Sequence, residues 1–306
     1  MSALLPLIET YRGGTLECLH FGAVAVSDAR GELVASAGDP HWLSFTRSTL
    51  KPFQALPLVE SGGARHFGFG AEQLAIFCAS HNGEPMHLAQ VDRVLARAGL
   101  PVKTLQCGCH VPLFVELGVG PAPAVIDERH HNCSGKHAGF LAWCVQHGQP
   151  TGNYLAPGHP LQVAIRRTVA RVVGPGPEQL RAGTDGCSAP NYAMPLSRLA
   201  RAYARLATGG QDPEFGQSFA ALAGAMVAHP ELVSGTGRSD LAFARAGRGD
   251  WICKGGADGV QRRPPGDGAD HPRTRRHRAL RVARATSLSG APRRGAADRA
   301  GRRAIP

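Results

Sequence analysis

The 306-residue sequence predicts an α+β fold, with a mostly antiparallel sheet and a helical region beside it. Strand patterns occur near the start of the chain and again near residue 250, whereas the long middle shows helical periodicity interrupted by loops rich in glycine and proline. Since about 100–200 residues per domain is usual, the length fits one large domain or two small ones.

The elements follow in order from their hydrophobic patterns. Residues 19–26 and 32–36 alternate about a turn at 28–31, which predicts a β-hairpin. A helix is predicted at 48–60, because Pro52 falls in its first turn, where a missing N–H is harmless. A short strand at 251–254 ends at two glycines. Further helices are predicted at 71–78, 87–98, 136–147, 160–173, 196–208 and 214–229.

The positive charge of the chain is concentrated at its C-terminus. Residues 262–306 contain 13 arginines and three aspartates, and so carry +10 of the formal net charge of +11. The first 261 residues are therefore almost neutral, and the pI of about 9.8 describes the tail. A uniformly basic chain would point to a nucleic-acid partner, but this body is typical of an ordinary enzyme.

The eight cysteines are scattered along the chain, which favours reduced thiols or metal ligands over a disulfide framework. No run of about eighteen apolar residues is present for a membrane span. The N-terminus also lacks the basic region and cleavage site of a signal peptide. We therefore predict a cytoplasmic protein.

The tetrad Ser48-Thr49-Leu50-Lys51 has the spacing S-x-x-K at the start of a predicted helix. Three residues is nearly one helical turn, so the Ser48 hydroxyl and the Lys51 amine are expected on one face, within hydrogen-bonding distance. A lysine desolvated in a pocket can take the proton of a serine nucleophile. The same pattern also fits an N-cap serine followed by a surface lysine.

Two further polar elements would complete a site of this kind. Ser80 follows an apolar helix within the sequence Ala-Ser-His-Asn-Gly-Glu and offers a second hydroxyl. Lys254, in Cys-Lys-Gly-Gly-Ala, is similar to the strand-borne lysine element of penicillin-binding proteins and serine β-lactamases. Taken alone, the first also fits a loop that ends a helix, and the second a plain β-turn.

Cys133 and Cys187 each stand beside glycine and polar residues, and together they could supply half of a zinc site. Both also fit small core residues, because free cysteine is among the most buried residue types. Spacing alone does not choose the remaining ligands. The alternatives are Cys107, Cys109, His110 and His137.

Five motifs stand in order along the chain. Together they resemble the Rhizobium etli-type L-asparaginases, also called the asparaginase II family, over a stretch from about Thr10 to Gln261. Five ordered motifs are far more specific than any one of them. They are Arg-Ser-Thr-Leu-Lys-Pro-Phe-Gln at 47–54, Cys-Ala-Ser-His-Asn-Gly-Glu at 78–84, Asn-Cys-Ser-Gly-Lys-His at 132–137, Asp-Gly-Cys-Ser-Ala-Pro at 185–190, and Lys-Gly-Gly-Ala-Asp-Gly at 254–259.

The resemblance implies a fold related to serine β-lactamases and glutaminases, and hydrolysis of L-asparagine to aspartate and ammonia through two Ser-Lys pairs. In that reading Ser48 is the nucleophile and Lys51 its base, while Ser80 and Lys254 form the second pair. An acyl-enzyme then forms and is released by water, so that two modest barriers replace one large barrier.

The resemblance also implies a homodimer and a zinc ion bound near the active site, through Cys133, Lys136 and Cys187. A lysine ligand must be neutral, so a zinc site of this composition requires a strongly depressed lysine pKa. Spacing from the cysteines would have favoured His137 instead of the lysine.

A substrate with an α-carboxylate and an α-ammonium group needs both charge signs nearby. Arg47 or Arg238 is the candidate contact for the carboxylate, since arginine recognises this group bidentately, and Asp185 is the candidate for the ammonium group. His131 and Asn132 are further polar candidates beside the motifs. Each of these residues could equally hold a loop together.

Residues 262–306 are rich in arginine, alanine, glycine and proline and contain no aromatic residue, a composition that predicts disorder. Because all four residue types have GC-rich codons and the family pattern stops abruptly after Gln261, a change of reading frame is the favoured interpretation. We therefore predict a catalytic domain at 1–261 that is C-terminally incomplete. The strand of Lys254 would then lack a neighbour, which would impair activity.

Three functional classes are considered, in order of preference. The first is an asparaginase-type amidohydrolase. The second is a related Ser-Lys acyl-transferase that acts on glutamine or β-lactams. The third is a catalytically dead protein whose basic arm binds nucleic acid, although the tail lacks the interleaved aromatic residues that would support this class.

Overall fold

A computed structural model describes residues 4–257, 260–263 and 280–287, the last two segments as backbone only. The predicted α+β class is confirmed, with antiparallel sheets flanked by helices. The strands are β1 (Leu5–Arg12), β2 (Thr15–Ser27), β3 (Leu33–Ala37), β4 (Leu43–Phe45), β5 (Arg181–Thr184), β6 (Pro190–Pro195), β7 (Lys254–Gly255), β8 (Val260–Arg263) and β9 (Leu280–Ser287).

The helices lie in the middle of the chain, as the periodicity predicts, although β5 and β6 separate α7 from α8. Most of the predicted boundaries agree with the observed ones within two residues. The helices are α1 (Lys51–Glu60), α2 (Gly63–His66), α3 (Ala71–Phe77), α4 (Pro85–Arg97), α5 (Leu113–Glu116), α6 (Ser134–Gln146), α7 (Pro160–Val173), α8 (Leu196–Thr208), α9 (Gly216–Ala228), α10 (Pro230–Val233) and α11 (Ser239–Ala246).

The larger sheet is antiparallel and runs in the order β1-β2-β9-β8-β7, with β3 beside β2. Its long strand β2 is divided between two environments. Ala23 and Ala25, in the second half, are fully buried, and α8 packs against this strand. The first half pairs with β1, and this ribbon exposes Leu5, Ile8 and Tyr11. The smaller sheet has the order β4-β6-β5.

Helix α1 lies in the centre of the helical region, against α6, α7 and α9. Phe53 meets Tyr203 and Phe219 edge to face, with ring centroids 5.2 and 6.4 Å apart. Burial extends from Lys51 through Leu58, so this helix is enclosed on nearly every side. Polar groups at its N-terminal end are therefore held in a low-dielectric interior.

Two glycines of α6 allow this helix to lie directly against α3. A Cβ atom on Gly135 would collide with the carbonyl oxygen of Ile76, and one on Gly139 would lie 2.9 Å from the Phe77 ring. This close approach is possible only without side chains at these two positions. It brings the 132–137 motif beside the segment that carries Ser80.

The strand of Lys254, β7, stands at one end of the larger sheet, and the C-terminal incompleteness expected from the sequence stays a prediction. β7 pairs with β8, β8 with β9, and β9 with β2. Backbone hydrogen bonding needs no particular side chains, which is why strand pairing could not be excluded from the composition of the tail. The predicted disorder concerns residues 262–306, of which 264–279 and 288–306 lie outside the described residues, as do positions 258 and 259 of the fifth motif.

Helix length bears on whether the chain could span a bilayer. The longest helix in the described residues, α7, has 14 residues, whereas a transmembrane helix needs about 20. Among the segments that the structure describes, none is both long and apolar enough to cross a membrane.

Candidate active site

Ser48 lies in a 3-10 turn, Arg47–Leu50, that leads directly into α1. Arg47 has a φ angle of +50°, in the left-handed region, which costs a residue with a side chain about 1–2 kcal/mol. The Ser48 side chain is half-buried, and no hydrogen bond joins its hydroxyl to another group in the described part of the chain. The hydroxyl is therefore free to meet a ligand.

Lys51 is 1% exposed, and its amine bonds to groups other than the Ser48 hydroxyl. Its Nζ donates to Ser80 Oγ at 2.9 Å and to the carbonyl oxygens of Ala79 at 2.5 Å and Asn132 at 3.3 Å. Three acceptors match the three N–H groups of an ammonium ion. The serine-lysine hydrogen bond expected from the S-x-x-K spacing is thus replaced by bonds to more distant segments, because a buried ammonium group needs several acceptors.

Ser80 Oγ lies between two lysines. Lys254 Nζ donates to it at 2.8 Å, and also donates to the carbonyl oxygen of Gly255 at 2.7 Å. The Ser80 backbone N–H is itself fixed by the carbonyl of Val233. The structure therefore brings the predicted Ser80 and Lys254 together and adds Lys51 to the same hydroxyl.

The two lysines differ in the contacts that favour a charge. Burial lowers the pKa of Lys254 to about 7, although the Asp240 carboxylate opposes this shift. Burial also lowers the pKa of Lys51. Lys51 uses three acceptors, whereas Lys254 has Gly255 as its one carbonyl partner among the described residues. Lys254 is accordingly the better candidate for a neutral amine that accepts the Ser80 proton.

Arg47 and Asp185 form an ion pair beside Ser48, with Nε donating to Oδ1 at 2.9 Å. The side chain of Asp185 is 9% exposed and that of Arg47 30%. Burial opposes ionisation of Asp185, but the Lys136 charge, the Gly186 N–H and Arg47 hold the pKa of this carboxyl below its ordinary value. The ion pair therefore offers both charge signs next to the free hydroxyl.

Asn132 and His131 lie at the start of the third motif. The Asn132 carbonyl accepts from Lys51, and its N–H donates to Nε2 of His110 at 3.2 Å. His131 Nδ1 accepts the N–H of Cys133 at 3.0 Å. Burial lowers the pKa of His131 to about 4, so this ring is neutral at physiological pH. Both residues border the lysine cluster rather than the solvent.

Arg238 directly precedes α11 and contacts the second motif. Its Nη1 lies 3.4 Å from Oδ1 of Asn82, whose Nδ2 donates to the carbonyl of Thr236 at 2.8 Å. Glu84 accepts from both the N–H and the hydroxyl of Thr236. After burial and Asp240, the positive charge of Arg238 is among the causes that set the pKa of Lys254. Arg238 is therefore near the lysines while also helping to fix a loop.

Cys133, Lys136 and Cys187 converge at the start of α6 and the turn between β5 and β6. Lys136 Nζ donates to Cys187 Sγ at 3.0 Å. A hydrogen bond from Cys187 lowers the pKa of Cys133 well below its ordinary value. Burial lowers the pKa of Lys136, but the two sulfur atoms outweigh burial and raise it above its ordinary value. Within the protein alone sulfur therefore stabilises the ammonium form of Lys136, whereas a lysine that binds zinc has to be neutral.

A model of the L-asparaginase II family matches residues 8–266. The chain belongs to the L-asparaginase II family. A comparison with curated proteins finds no match. The family match ends five residues beyond the predicted boundary at Gln261. Membership in this family points to an enzyme that hydrolyses the side-chain amide of asparagine, and asparagine is the small-molecule substrate that it implies.

Cys133, Lys136 and Cys187 form what is called the cysteine cluster here. Their donor atoms are compatible with zinc, since sulfur and nitrogen are the donors that zinc prefers. In the described residues, no group of three His, Cys, Asp or Glu side chains is placed to hold a metal ion. The predicted ligand set contains two cysteines and Lys136. The Nζ atom of this lysine already donates a hydrogen bond to the Cys187 sulfur. His137, the alternative from spacing, has a buried Nε2 with no hydrogen-bond partner and a ring that interacts with Cys187.

Two buried residues that contact this candidate site were not predicted from the sequence. The side-chain amide of Asn191, on β6, accepts the backbone N–H of Arg47 and donates to the Arg47 carbonyl. Asp240, on α11, accepts the N–H of Gly255 at 2.6 Å, and a Cβ on that glycine would lie 2.7 Å from the same carboxylate. The available signal was weak, because Asn191 directly follows the fourth motif and Asp240 stands two residues after Arg238.

Proposed function

We propose that the chain is a Rhizobium etli-type amidohydrolase that converts L-asparagine to L-aspartate and ammonia through an acyl-enzyme on Ser48. The observation that carries this proposal is a free serine hydroxyl at the head of α1, beside a hydrogen-bonded chain of Lys51, Ser80 and Lys254. A serine needs a base to become a nucleophile, and the hydrogen-bonded chain supplies two buried amines, those of Lys51 and Lys254.

The choice of Ser48 over Ser80 rests on access. Ser80 is 4% exposed and its Oγ is hydrogen-bonded to two lysines, so a substrate carbon could reach it only by displacing a lysine. Ser48 is half-buried. The N-terminal end of α1, just beyond it, favours negative charge that develops on the attacked amide.

The proton of Ser48 is assigned to Lys51 in its neutral form, which burial favours by lowering the pKa of this lysine; the amine would turn from its present acceptors to reach Ser48. In this scheme the Ser48 oxygen bonds to the amide carbon, the C–N bond breaks, and the proton is delivered to the departing ammonia. Ser80 connects Lys51 to Lys254, so a proton taken up at one amine can pass to the other through the hydroxyl. Water then attacks the ester and restores Ser48.

Recognition of the amino-acid end is assigned to charged groups beside Ser48. Arg47 would bind the α-carboxylate and Asp185 the α-ammonium group, so that each exchanges its present partner for a matching charge on the substrate. Arg238 is the second candidate for the carboxylate. His131 and Asn132 are proposed to shape the polar wall, since both adjoin the lysine cluster.

We also propose that zinc binds through Cys133, Lys136 and Cys187. When bound, it would supply a fixed positive charge that ties the start of α6 to the turn between β5 and β6. Homodimer formation and a cytoplasmic location stay predictions from the resemblance and from the composition.

The proposal is tested by ammonia release from L-asparagine with the wild type and with Ser48→Ala. The wild type is expected to release ammonia, and Ser48→Ala to lose at least about 1,000-fold in rate, because the nucleophilic oxygen is removed. Equal rates would end the proposal. Parallel assays with L-glutamine and a β-lactam test the acyl-transferase alternative, and retention on DNA in moderate salt tests the nucleic-acid alternative.

A further inference from the structure

Asn191 holds the residue that precedes the proposed nucleophile. We propose that Asn191 is a positioning residue, whose amide keeps Arg47 in its left-handed conformation and so fixes the direction in which Ser48 leaves the turn. The proposal relies on the proposed function only in naming Ser48 as the nucleophile.

The contacts of the Asn191 amide enclose one backbone residue. Oδ1 accepts the N–H of Arg47 at 3.0 Å, and Nδ2 donates to the Arg47 carbonyl at 3.0 Å. Oδ1 also faces Thr46 Oγ1 at 3.1 Å. Because one end of the amide meets a donor and the other an acceptor, its orientation is fixed by these partners. Asn191 is 3% exposed, so water does not compete for these bonds.

Arginine has no intrinsic reason to adopt a φ angle of +50°. Such a conformation persists only where the surroundings impose it, and in proteins it clusters at functional sites. The other side of Ser48 is held too, since the Tyr203 hydroxyl donates to the Thr49 carbonyl at 2.6 Å. Ser48 is therefore fixed between two anchored neighbours.

The same conformation aims a second group of the site. The Arg47 side chain leaves this strained backbone to reach Asp185 at 2.9 Å. The turn of 185–189 contains another residue with positive φ, Ser188 at +66°. A single amide on β6, the strand that directly follows this turn, thus controls both the nucleophile and its neighbouring guanidinium group.

The two hydrogen bonds by which the Asn191 amide holds Arg47 are called the clamp here. Stability measurements test this clamp without any enzymatic assay. Arg47→Gly and Arg47→Ala both remove the guanidinium group, but only glycine tolerates positive φ without strain. With Asn191 present, the glycine variant is expected to unfold about 2–4 °C above the alanine variant. In the Asn191→Ala background the difference is expected to vanish or reverse. An equal difference in both backgrounds would overturn the clamp.

Kinetics then test whether the clamp matters for the reaction. Asn191→Ala is expected to lower kcat/KM for L-asparagine about 100-fold, mainly through kcat, because small misplacements of a reacting group carry penalties of this size. Asn191→Asp keeps the acceptor for the Arg47 N–H but loses the donor to the Arg47 carbonyl. Its kcat/KM is expected to lie between that of the wild type and that of Asn191→Ala. Asn191→Asp also serves as the measurable variant if the alanine protein does not fold.

The matched control is Gln90→Ala, which leaves the buried Nε2 of Gln73 without its acceptor between α3 and α4. It removes a buried amide in the same way, so a general loss of stability would affect both proteins. We expect kcat to change less than twofold in this control. If kcat falls equally in both, or if Asn191→Ala keeps full kcat while the stability test succeeds, the positioning role is overturned. If the wild type has no asparaginase activity, the proposed function fails, but the stability test still decides the clamp.

Discussion

Three lysines are buried within one site, yet their neighbours give them opposite acid–base behaviour. Lys51, Lys136 and Lys254 are each at most 3% exposed. Burial lowers the pKa of Lys254 to about 7 and lowers that of Lys51, whereas for Lys136 two sulfur atoms outweigh burial and raise the pKa. The comparison teaches that burial alone does not make a lysine a base, and that the facing group decides.

Two of these lysines share the same local sequence pattern. Lys51 stands three residues after Ser48, and Lys136 three residues after Cys133, each at the start of a helix. Neither lysine makes its closest polar side-chain contact with that preceding residue. Lys51 bonds to Ser80, and Lys136 bonds to Cys187. Helical spacing therefore brings the lysine to the site, while a distant segment sets its chemistry.

The largest effect is expected from removing the amine of Lys254, whose pKa burial lowers to about 7. Lys254→Met keeps the length of the side chain but cannot accept a proton, so kcat/KM for L-asparagine should fall about 1,000-fold. The exposed Lys103→Met is the matched control and should keep wild-type kinetics. Unchanged kinetics in Lys254→Met would remove this lysine from the proton path.

The second effect, on zinc affinity, distinguishes Lys136, which contacts Cys187, from Lys254, which contacts Ser80. Lys136→Met should lower the affinity for zinc by about 100-fold or more, because a proposed ligand is lost, while Lys254→Met should bind zinc as the wild type does. Competition with a chromophoric chelator gives both values. Equal zinc affinity in the two variants would show that Lys136 is not a ligand.

The third prediction concerns pH. As pH falls through about 7, protonation of Lys254 should lower kcat/KM about tenfold per unit. The unfolded chain binds this proton up to about pH 10, so the unfolding free energy should rise between pH 7 and 10 as far as this lysine is concerned. A pH–rate profile and unfolding curves in urea measure the two effects. A rate that is flat from pH 6 to 8 would contradict a neutral Lys254.

The smallest effect is expected from Asp240, the carboxylate that supports the charged form of Lys254. Asp240→Asn should move the midpoint of the pH–rate profile down by about half a unit to one unit, because an opposing negative charge is removed. The exposed Asp250→Asn, close in sequence, is the control and should leave the midpoint unchanged. A midpoint that rises, or moves equally in both variants, argues against this electrostatic link.

Local pattern was sufficient for much of the fold. The hairpin about residue 30 and the helix that contains Pro52 follow from alternation and from proline placement, and both are observed. The ordered motifs also collected the lysine and cysteine clusters before any contact was known. These features depend on near neighbours in the chain, which is why sequence periodicity detects them.

Other features depend on contacts that no local pattern encodes. Helical spacing predicted a bond between Ser48 and Lys51, but the left-handed Arg47 begins a 3-10 turn and the lysine bonds elsewhere. Asn191 lies 144 positions from the residue it holds. Strands β8 and β9 were not predicted either, because composition describes side chains, whereas strand pairing uses the backbone.

The most direct test of the account is to find which serine carries the acyl group. The enzyme would be quenched with acid during turnover of L-asparagine, digested and mapped by mass spectrometry. We predict an aspartyl ester on the peptide that contains Ser48, and its absence in Ser48→Ala. An ester on the peptide that contains Ser80, or ammonia release by the wild type without any ester under the same quench, would contradict the account.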